Sequence, residues 1–314
     1  MKLIFMGTPD FAVPTLRALH EAGHHIVGVF TQPDRPKGRG KKITASPVKE
    51  LAESLNLPVF QPLKVKAPEV IETIRKLEPE CIVVVAYGQI LPLDILKLPP
   101  LGCVNVHASL LPSYRGPAPI HWAVLNGETK TGVTTMLMDE GLDTGDILLT
   151  AEYPISLTAT TGEIHDALAE LGAELLLKTL RGLQDGTLNP IPQPKEFTYA
   201  PLLKREHEKI DWSRPVQAIH NQIRGLNPWP GAYTTFRGER VKIWQSLPLE
   251  REKNNSRPEH AKPGEILAER GGGFLVQCGE GILQILRLQP EGKRQMTGAD
   301  FFNGRCIGIG ELFE

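Results

Sequence analysis

The sequence has few cysteines, no long uncharged apolar run and almost no net charge, and each shortage argues against a class of protein. The four cysteines lie far apart and form no C-x-x-C pair, which favours reduced structural thiols over disulfides or a zinc site. No uncharged apolar stretch approaches the roughly 18 residues of a membrane span, and strand-like residues start at Lys2, where a targeting segment would otherwise lie. A net charge of -1 gives no overall attraction to nucleic acid or membrane. We therefore expect a cytoplasmic globular protein.

Motifs for nucleotide cofactors and metals are also missing. The first loop, MGTPDFAVP, lacks the G-x-G-x-x-G pattern that brings a backbone against a pyrophosphate, so we expect neither a nicotinamide nor a flavin site. Neither a P-loop nor a G-x-S-x-G motif occurs. The adjacent His24 and His25 give poor metal geometry, and we expect no metal site.

The hydrophobic pattern up to about residue 186 alternates short apolar runs with helical spacing. Runs such as CIVVVAYG have no polar face, and apolar residues recur at helical intervals between them, as in Val13–Ala22 and Pro68–Leu77. Strands that are apolar on both faces and alternate with helices indicate a parallel sheet covered on both sides. We predict an α/β fold for residues 1–186, with a doubly wound, mostly parallel, Rossmann-like sheet.

The pattern changes after residue 186. Residues 187–207 contain four prolines and little periodicity, which predicts a linker. From residue 208 to residue 314, short strands such as VKIWQS, GFLVQC and ILQILRL are separated by turns, and a helix at Pro215–Arg224 precedes them. We predict a small antiparallel β-barrel domain over residues 208–314.

The strand that ends in NVH carries the first candidate chemistry. Side chains alternate along a strand, so Asn105 and His107 face the same side. They stand at the C-terminal end of that strand, where open α/β sheets bind their ligands. Both can donate to an oxygen that gains negative charge, and the histidine can also move a proton near neutral pH. A pair of hydrogen-bonded structural residues is the alternative that the pattern leaves open.

Two loops would complete such a site. In GLDTGDIL, two glycines would let the backbone around Asp143 approach a ligand, and a carboxylate there could hold the tautomer of His107. Asp146 is the competing carboxylate, and a plain turn is the other interpretation. In SLLPSYRG, Pro112 would stiffen a loop that lays backbone groups against a flat heterocycle, with Arg115 free to reach a charged group. A structural turn is the alternative there too.

The stretch TQPDRPKGRGKK is strongly basic. Between Asp34 and Lys42 it has five cations and one anion, with two glycines that add flexibility. Such a loop suits contacts with phosphates, and Arg39, which lies between the two glycines, has the greatest freedom to enter a groove. A solvated surface loop is the alternative.

In combination, these segments resemble the methionyl-tRNA formyltransferases. The resemblance runs in order through MGTPDFAVPTLRAL, the basic loop with SPVKELA, VVVAYGQILP, NVHASLLPSYRGPAPIHWA, TGVTTMLMDEGLDTGDIL, KIDWS and NPWPGAY, and it covers most of both predicted domains. It implies a cytoplasmic enzyme of translation initiation that carries a formyl group from 10-formyl-tetrahydrofolate to the α-amino group of methionyl initiator tRNA. It also implies a monomer that needs no metal and does not bind membranes.

The resemblance implies roles for individual residues as well. Asn105, His107 and Asp143 match the family's catalytic residues: the first two would hold the oxyanion, and Asp143 would orient His107 and relay protons. The implied folate site comprises Ser109, Leu110, Leu111 and Pro112. The implied substrate contacts are Phe11, against the methionyl side chain, and Arg39, Lys41 and Lys42, at the acceptor stem. The C-terminal domain would be an OB-like barrel that holds the tRNA backbone.

Three rival interpretations remain open at this point. Glycinamide ribonucleotide formyltransferases share the Asn, His and Asp but carry a glycine-rich phosphate loop where this chain has MGTPDFAVP. Formyltransferases of nucleotide-linked amino sugars share the N-x-H-x-S-L-L-P-x-Y-R-G pattern and the C-terminal domain but lack DRPKGRGKK, so the basic loop is the discriminating feature. A noncatalytic RNA-binding module is the third, and the convergence of Asn105, His107 and the folate loop argues against it.

Overall fold

The computed structural model of the 314-residue chain describes residues 1–37, 42–249, 261–305 and 307–314. The chain forms two compact units. The first comprises Met1–Pro119, Thr131–Pro154 and His165–Ala200, and the second comprises Ile120–Lys130, Ile155–Ile164 and Pro201–Glu314. Two short segments that precede residue 165 in the sequence therefore belong to the second unit. The domain boundaries expected from the sequence, with a catalytic domain at 1–186, a linker at 187–207 and a C-terminal domain at 208–314, stay predictions.

The helices and strands follow the hydrophobic pattern closely. The strands are β1 (Lys2–Gly7), β2 (His25–Phe30), β3 (Arg35–Lys37), β4 (Lys42–Thr44), β5 (Val59–Phe60), β6 (Cys81–Val85), β7 (Cys103–His107), β8 (Lys130–Leu137), β9 (Ile147–Pro154), β10 (Tyr233–Phe236), β11 (Glu239–Leu249), β12 (Ile266–Arg270), β13 (Gly273–Gln277), β14 (Ile282–Pro290) and β15 (Met296–Thr297). The α-helices are α1 (Val13–Glu21), α2 (Pro47–Ser54), α3 (Pro68–Leu77), α4 (Leu93–Leu96), α5 (Pro119–Leu125), α6 (Thr161–Gln184), α7 (Val216–Gly225) and α8 (Gly298–Gly304). Two short 3-10 turns lie at Asp10–Ala12 and Arg205–His207.

The first unit is built on a seven-stranded sheet in the order β5-β2-β1-β6-β7-β8-β9. The pairs from β5 to β7 are parallel, and β8 runs antiparallel to β7. Every residue of β6 is buried, as a strand without a polar face requires. After β1 the chain first builds outward through β2 and β5 and then returns to place β6 on the other side of β1. This confirms the predicted doubly wound, mostly parallel sheet.

The second unit contains a six-stranded antiparallel sheet in the order β10-β11-β14-β13-β12, with β15 paired to β14. The chain end joins the two outer strands, because Phe313 bridges Phe236 of β10 and Leu312 bridges Glu265 beside β12. Aromatic rings fill the enclosed core, with Phe236 and Phe274 both fully buried. This closure confirms the predicted small β-barrel.

Three of the four cysteines lie in the interior of the protein. Cys81, Cys103 and Cys278 are buried free thiols, and burial raises the pKa of Cys81 to about 12, which keeps that thiol protonated and inert. Cys306 lies outside the described residues. In the described ranges, none of the helices combines the length and the apolar character that crossing a bilayer requires.

Candidate active site

The site that the sequence predicted lies at the end of β7, between β6 and β8. Asn105 pairs with Val84 on one side and Met136 on the other, and His107 pairs with Thr134 of β8. His107 is buried, with 7% of its surface exposed, and Asn105 is half-buried. Within the part of the chain that the structure describes, the Asn105 side chain makes no hydrogen bond. Its amide is therefore available to a bound group.

The contacts of the His107 ring determine which nitrogen carries a proton. Its Nε2 lies 3.0 Å from the carbonyl oxygen of Tyr114. Because a carbonyl only accepts, Nε2 must carry the hydrogen and donate. In the neutral ring, Nδ1 then holds the free lone pair, and it faces Asp143 Oδ1 at 3.7 Å, which is too long for a hydrogen bond. The proton-accepting atom of His107 thus points toward a carboxylate, with a gap between them.

Backbone contacts hold the carboxylate of Asp143 in place. Its Oδ2 accepts a hydrogen bond of 2.8 Å from the backbone amide of Gly116. Asp143 itself has a φ of 54°, a left-handed conformation that costs about 1–2 kcal/mol in a residue with a Cβ. Gly116 has a φ of 108°, and a Cβ there would lie 2.6 Å from the Tyr199 ring. Strained backbone of this kind persists where the surroundings hold it, and it is typical of functional sites.

The two glycines beside Asp143 serve the packing of their own loop. A Cβ on Gly145 would collide with the carbonyl oxygen of Leu137, and one on Gly141 would collide with the hydroxyl of Thr144. The clash at Gly145 is with backbone, so that position needs a glycine even without a ligand, whereas at Gly141 the side chain of Thr144 would have to move. A close approach of this loop to a ligand stays a prediction. For the competing carboxylate of Asp146, the structure describes no contact with His107.

Internal hydrogen bonds lock the predicted folate loop. Ser109 is fully buried, and its hydroxyl donates to the carbonyl of Ser113 at 2.6 Å. Thr134 of β8 accepts from the backbone amide of Leu111 at 3.1 Å and donates to the carbonyl of Ser109 at 2.7 Å. Leu110 and Pro112 are half-buried. These hydrogen bonds hold the backbone of the loop in one conformation. Folate binding by Ser109, Leu110, Leu111 and Pro112 stays a prediction.

Arg115 was expected to be free to reach a charged group, and this expectation is wrong. Only 8% of its surface is exposed, and its Nε and Nη2 donate to the side-chain oxygen of Gln193 at 3.0 and 2.7 Å. Its guanidinium also lies 4.6 Å from the ring centroid of Phe197. Gln193 did not emerge from the sequence, because the segment that carries it has the composition of a linker.

The predicted substrate contacts fall on two loops. Phe11 is 7% exposed and packs edge-on against the ring of His165, with 5.3 Å between the ring centroids. The basic loop starts as a hairpin of β3 and β4, and Lys49 anchors it through an ion pair of 2.7 Å to Asp34. Arg39 and Lys41 lie outside the described residues, and so does the side chain of Lys42. Their contacts with substrate stay predictions.

The chemistry of the site lies in its polar side chains. Over the described ranges, the His, Cys, Asp and Glu side chains form no cluster of three or more that could hold a metal ion. What the residues around His107 offer is a free amide, an imidazole with one free nitrogen, and a carboxylate. This set suits the transfer of an acyl group, because it can stabilise a developing negative oxygen and move a proton.

Comparisons of sequence agree with this chemistry. Residues 1–180 match the Formyl transferase family, and residues 202–306 match the Formyl transferase, C-terminal domain family. The methionyl-tRNA formyltransferase of Pelotomaculum thermopropionicum is 52% identical over 304 residues, which cover 97% of this chain and 96% of that protein.

Comparisons of structure show the same fold. HypX from Aquifex aeolicus in complex with tetrahydrofolic acid has a TM-score of 0.62 at 21% identity. The match covers 99% of this chain and 48% of HypX, so the chain spans about half the length of that protein. An N-formyltransferase from Helicobacter canadensis, in complex with folinic acid and dTDP-3-aminofucose, has a TM-score of 0.65 at 20% identity, with 91% of this chain and 98% of that chain covered. With the fold, the polar set at the end of β7 and the sequence matches in agreement, the chain belongs to the methionyl-tRNA formyltransferase family.

Proposed function

We propose that the chain transfers a formyl group from 10-formyl-tetrahydrofolate to the α-amino group of methionyl initiator tRNA. The observation that carries the proposal is the arrangement at the end of β7, where the free amide of Asn105 stands beside an imidazole whose Nδ1 faces Asp143 at 3.7 Å. The close sequence relatives support the choice of substrates. The structural neighbour with tetrahydrofolic acid supports a folate donor.

The proposed mechanism assigns one task to each polar side chain. Bound folate supplies an activated formyl group. Asn105 donates its side-chain N–H to the formyl oxygen as negative charge develops there. Nδ1 of His107 takes a proton from the attacking amine, since Nε2 already donates to Tyr114. A new bond then joins the amine nitrogen to the formyl carbon, and the bond from that carbon to the folate nitrogen breaks.

Asp143 supports the charged form of His107 during the reaction. Once Nδ1 is protonated, a carboxylate 3.7 Å away attracts the imidazolium and keeps the ring oriented. The protonated Nδ1 is also the second donor for the oxyanion, beside Asn105. His107 then passes the proton to the departing folate nitrogen, which returns the ring to its neutral state. Protons balance over the cycle, because the one taken from the amine leaves with the folate.

The remaining contacts are proposed from the resemblance. Ser109, Leu110, Leu111 and Pro112 would place backbone and apolar groups against the folate ring, which suits a loop held rigid by Thr134. Phe11 would contact the methionyl side chain. The acceptor stem would meet Arg39, Lys41 and Lys42, and the C-terminal barrel would contact the tRNA backbone. The monomeric state and the cytoplasmic location stay predictions.

A transfer assay with two acceptors tests the proposal. The purified chain is incubated with 10-formyl-tetrahydrofolate and either methionyl initiator tRNA or a nucleotide-linked amino sugar, and formylated product is measured. We expect product with the charged tRNA alone. Product with the sugar alone would keep the reaction class but overturn the proposed acceptor. If neither acceptor gave product, the proposed enzyme activity would be overturned and the noncatalytic RNA-binding interpretation would be favoured instead.

A further inference from the structure

The segment of residues 191–200, here called the strap, binds both loops that flank His107. At one end, Ile191 exchanges backbone hydrogen bonds of 2.8 and 2.9 Å with Ile147, just after the Asp143 loop. At the other end, Arg115 donates from its backbone amide to Thr198 at 2.9 Å and accepts from Ala200 at 2.7 Å. A segment with the composition of a linker is therefore part of the first unit's polar framework.

Gln193 is the point at which the strap joins the two loops. Its Nε2 donates to the backbone carbonyls of Asp143 at 2.9 Å and Gly145 at 2.7 Å. Its Oε1 accepts both hydrogen bonds from the Arg115 guanidinium. A glutamine amide has two donor hydrogens and two acceptor lone pairs, and here all four are used.

These partners fix the orientation of the amide. Carbonyl oxygens only accept and a guanidinium only donates, so a flipped amide would set oxygen against two oxygens and N–H against N–H. The arrangement therefore has one low-energy state. It ties the backbone of Asp143 to a side chain of the loop that carries Tyr114 and Gly116, and it sets the distance between the two loops.

Both neighbours of the His107 ring depend on this framework. The Tyr114 carbonyl, which receives Nε2–H, belongs to a residue whose backbone amide donates to the Thr198 hydroxyl of the strap at 2.8 Å. The Asp143 carboxylate, which faces Nδ1, belongs to the residue that Gln193 holds by its carbonyl. The strap thus contacts the partner of each ring nitrogen without touching the ring itself in the contacts that the structure describes.

We propose that Gln193 is a positioning residue of the transfer reaction. It acts through Asp143 and Arg115 to keep the Asp143 carboxylate aligned with Nδ1 of His107. The inference rests on the proposed function for its kinetic consequences, but the placement of the His107 ring is open to measurement without turnover. Gln193 contributes no proton and contacts no substrate in this role. Without the Gln193 amide, the Asp143 carboxylate is no longer held at a fixed position relative to Nδ1 of His107, the atom that takes up the proton.

A pair of matched glutamine variants tests the kinetic side. Gln193→Met keeps the length of the side chain and removes its polar atoms. Gln184→Met makes the same change at an exposed glutamine that ends α6 and whose side chain makes no hydrogen bond within the described residues. Loss of alignment at a reacting centre costs up to about 100-fold, so we expect kcat of Gln193→Met to fall by about 10- to 100-fold. We expect the KM values for folate and charged tRNA to change by less than about twofold. Gln184→Met should match the wild-type protein, and an equal kcat for the two variants would overturn the proposal.

Gln193→Glu tests the N–H donors of the Gln193 amide separately from its acceptor oxygen. The glutamate retains an oxygen for Arg115 but sets its other oxygen against the carbonyls of Asp143 and Gly145. We expect a fall in kcat at least as large as in Gln193→Met, and wild-type kcat in this variant would show that the amide donors are not needed. Should the methionine variant fail to fold, the glutamate variant carries the test with the same criteria.

Nitrogen NMR of the imidazole distinguishes failure of this inference from failure of the proposed function. In protein labelled with 15N-histidine, the His107 signals are assigned by their loss in His107→Gln. We expect the Nε2–H form in the wild-type protein and a mixture of ring forms, or exchange broadening, in Gln193→Met, with the Gln184→Met spectrum unchanged. Identical His107 signals in all three proteins would overturn the positioning role even if formyl transfer is confirmed. A perturbed ring in a protein that does not formylate charged tRNA would support positioning and refute the proposed function.

Discussion

The region around His107, at the C-terminal end of β7, and the core of the C-terminal barrel are built in opposite ways. Around His107, polar side chains hold loops together through hydrogen bonds to distant backbone atoms, as the half-buried Gln193 does for the Asp143 loop. In the barrel, aromatic rings such as Phe236, Phe274 and Phe301 pack on one another at centroid distances of 5.7–6.2 Å. Directional bonds fix atoms for chemistry, whereas burial of apolar area stabilises a shape without fixing any reacting atom. Substitutions in the two regions should therefore damage different properties.

The largest expected effect is the loss of transfer in His107→Ala. In its proposed role His107 both accepts a proton and donates to an oxyanion, and removing such a group costs about 100- to 10,000-fold in rate. We expect kcat to fall by that factor while the affinity for charged tRNA, measured by filter binding, stays close to the wild-type value. The ring is buried and donates to the carbonyl of Tyr114, so a moderate fall in the melting temperature should accompany the loss of rate. Normal turnover in this variant would contradict the role of His107.

The converse change is Phe274→Ala in the barrel. The ring is fully buried and stacks on Phe301 and Phe313, so its removal leaves a cavity and should cost about 3–5 kcal/mol in the free energy of unfolding. Urea denaturation measures this loss, and Phe274→Leu is the milder control. At a temperature where the variant stays folded, kcat should remain near the wild-type value. A Phe274→Ala protein with wild-type stability and a reduced kcat would contradict the expectation that substitutions in the barrel lower stability and not the rate of transfer.

The basic loop lies between these extremes, because it belongs to the first unit but is expected to bind rather than to react. Arg39→Ala should weaken the use of charged tRNA, lowering kcat/KM by about 10-fold and reducing the salt dependence by about one phosphate contact. Arg39→Lys keeps the charge and should retain most of the activity. An unchanged rate and an unchanged salt slope in Arg39→Ala would identify the loop as solvated surface.

The smallest expected effect concerns a buried histidine of the second unit. Burial, with the nearby charge of Arg224, lowers the pKa of His220, whose ring donates to the carbonyl of Leu157 and contacts the hydroxyl of Ser246. The unfolded chain binds a proton as the pH falls through about 6.5, and the folded ring does so only at lower pH. The free energy of unfolding should thus decrease below pH 6.5, by at most about 1.4 kcal/mol per pH unit for this group.

Urea titrations at pH 7.5 and pH 5.5 test the contribution of His220. His220→Gln should be less stable than the wild-type protein at pH 7.5 but should lose less stability between the two pH values. Part of the slope should remain, because burial also lowers the pKa of His24. An unchanged pH dependence in His220→Gln would show that the ring does not titrate as burial requires.

Much of the fold and the centre of the site were predictable from local pattern. The alternating side chains of a strand placed Asn105 and His107 on one face, and the continuous apolar run of β6 indicated a sheet covered on both sides. Arg115 was misjudged because an arginine in a polar loop is usually solvated, whereas here Phe197 and Gln193 cover it. Gln193 gave no local signal, since its hydrogen-bond partner Arg115 is 78 residues away in the chain.

The sequence by itself determined the periodicities of this protein, and hence its two-part α/β and β architecture, its family and the pair of polar side chains at the end of β7. Each of those features follows from the order of apolar, polar and glycine residues along the chain. Only the tertiary structure decided that Nε2 of His107 carries the hydrogen, that Asp143 faces Nδ1 and that the strap binds both flanking loops. The reason is physical: each of these depends on the position of a backbone carbonyl, amide or carboxylate contributed by a separate loop. Those positions are settled when the loops pack together on the sheet.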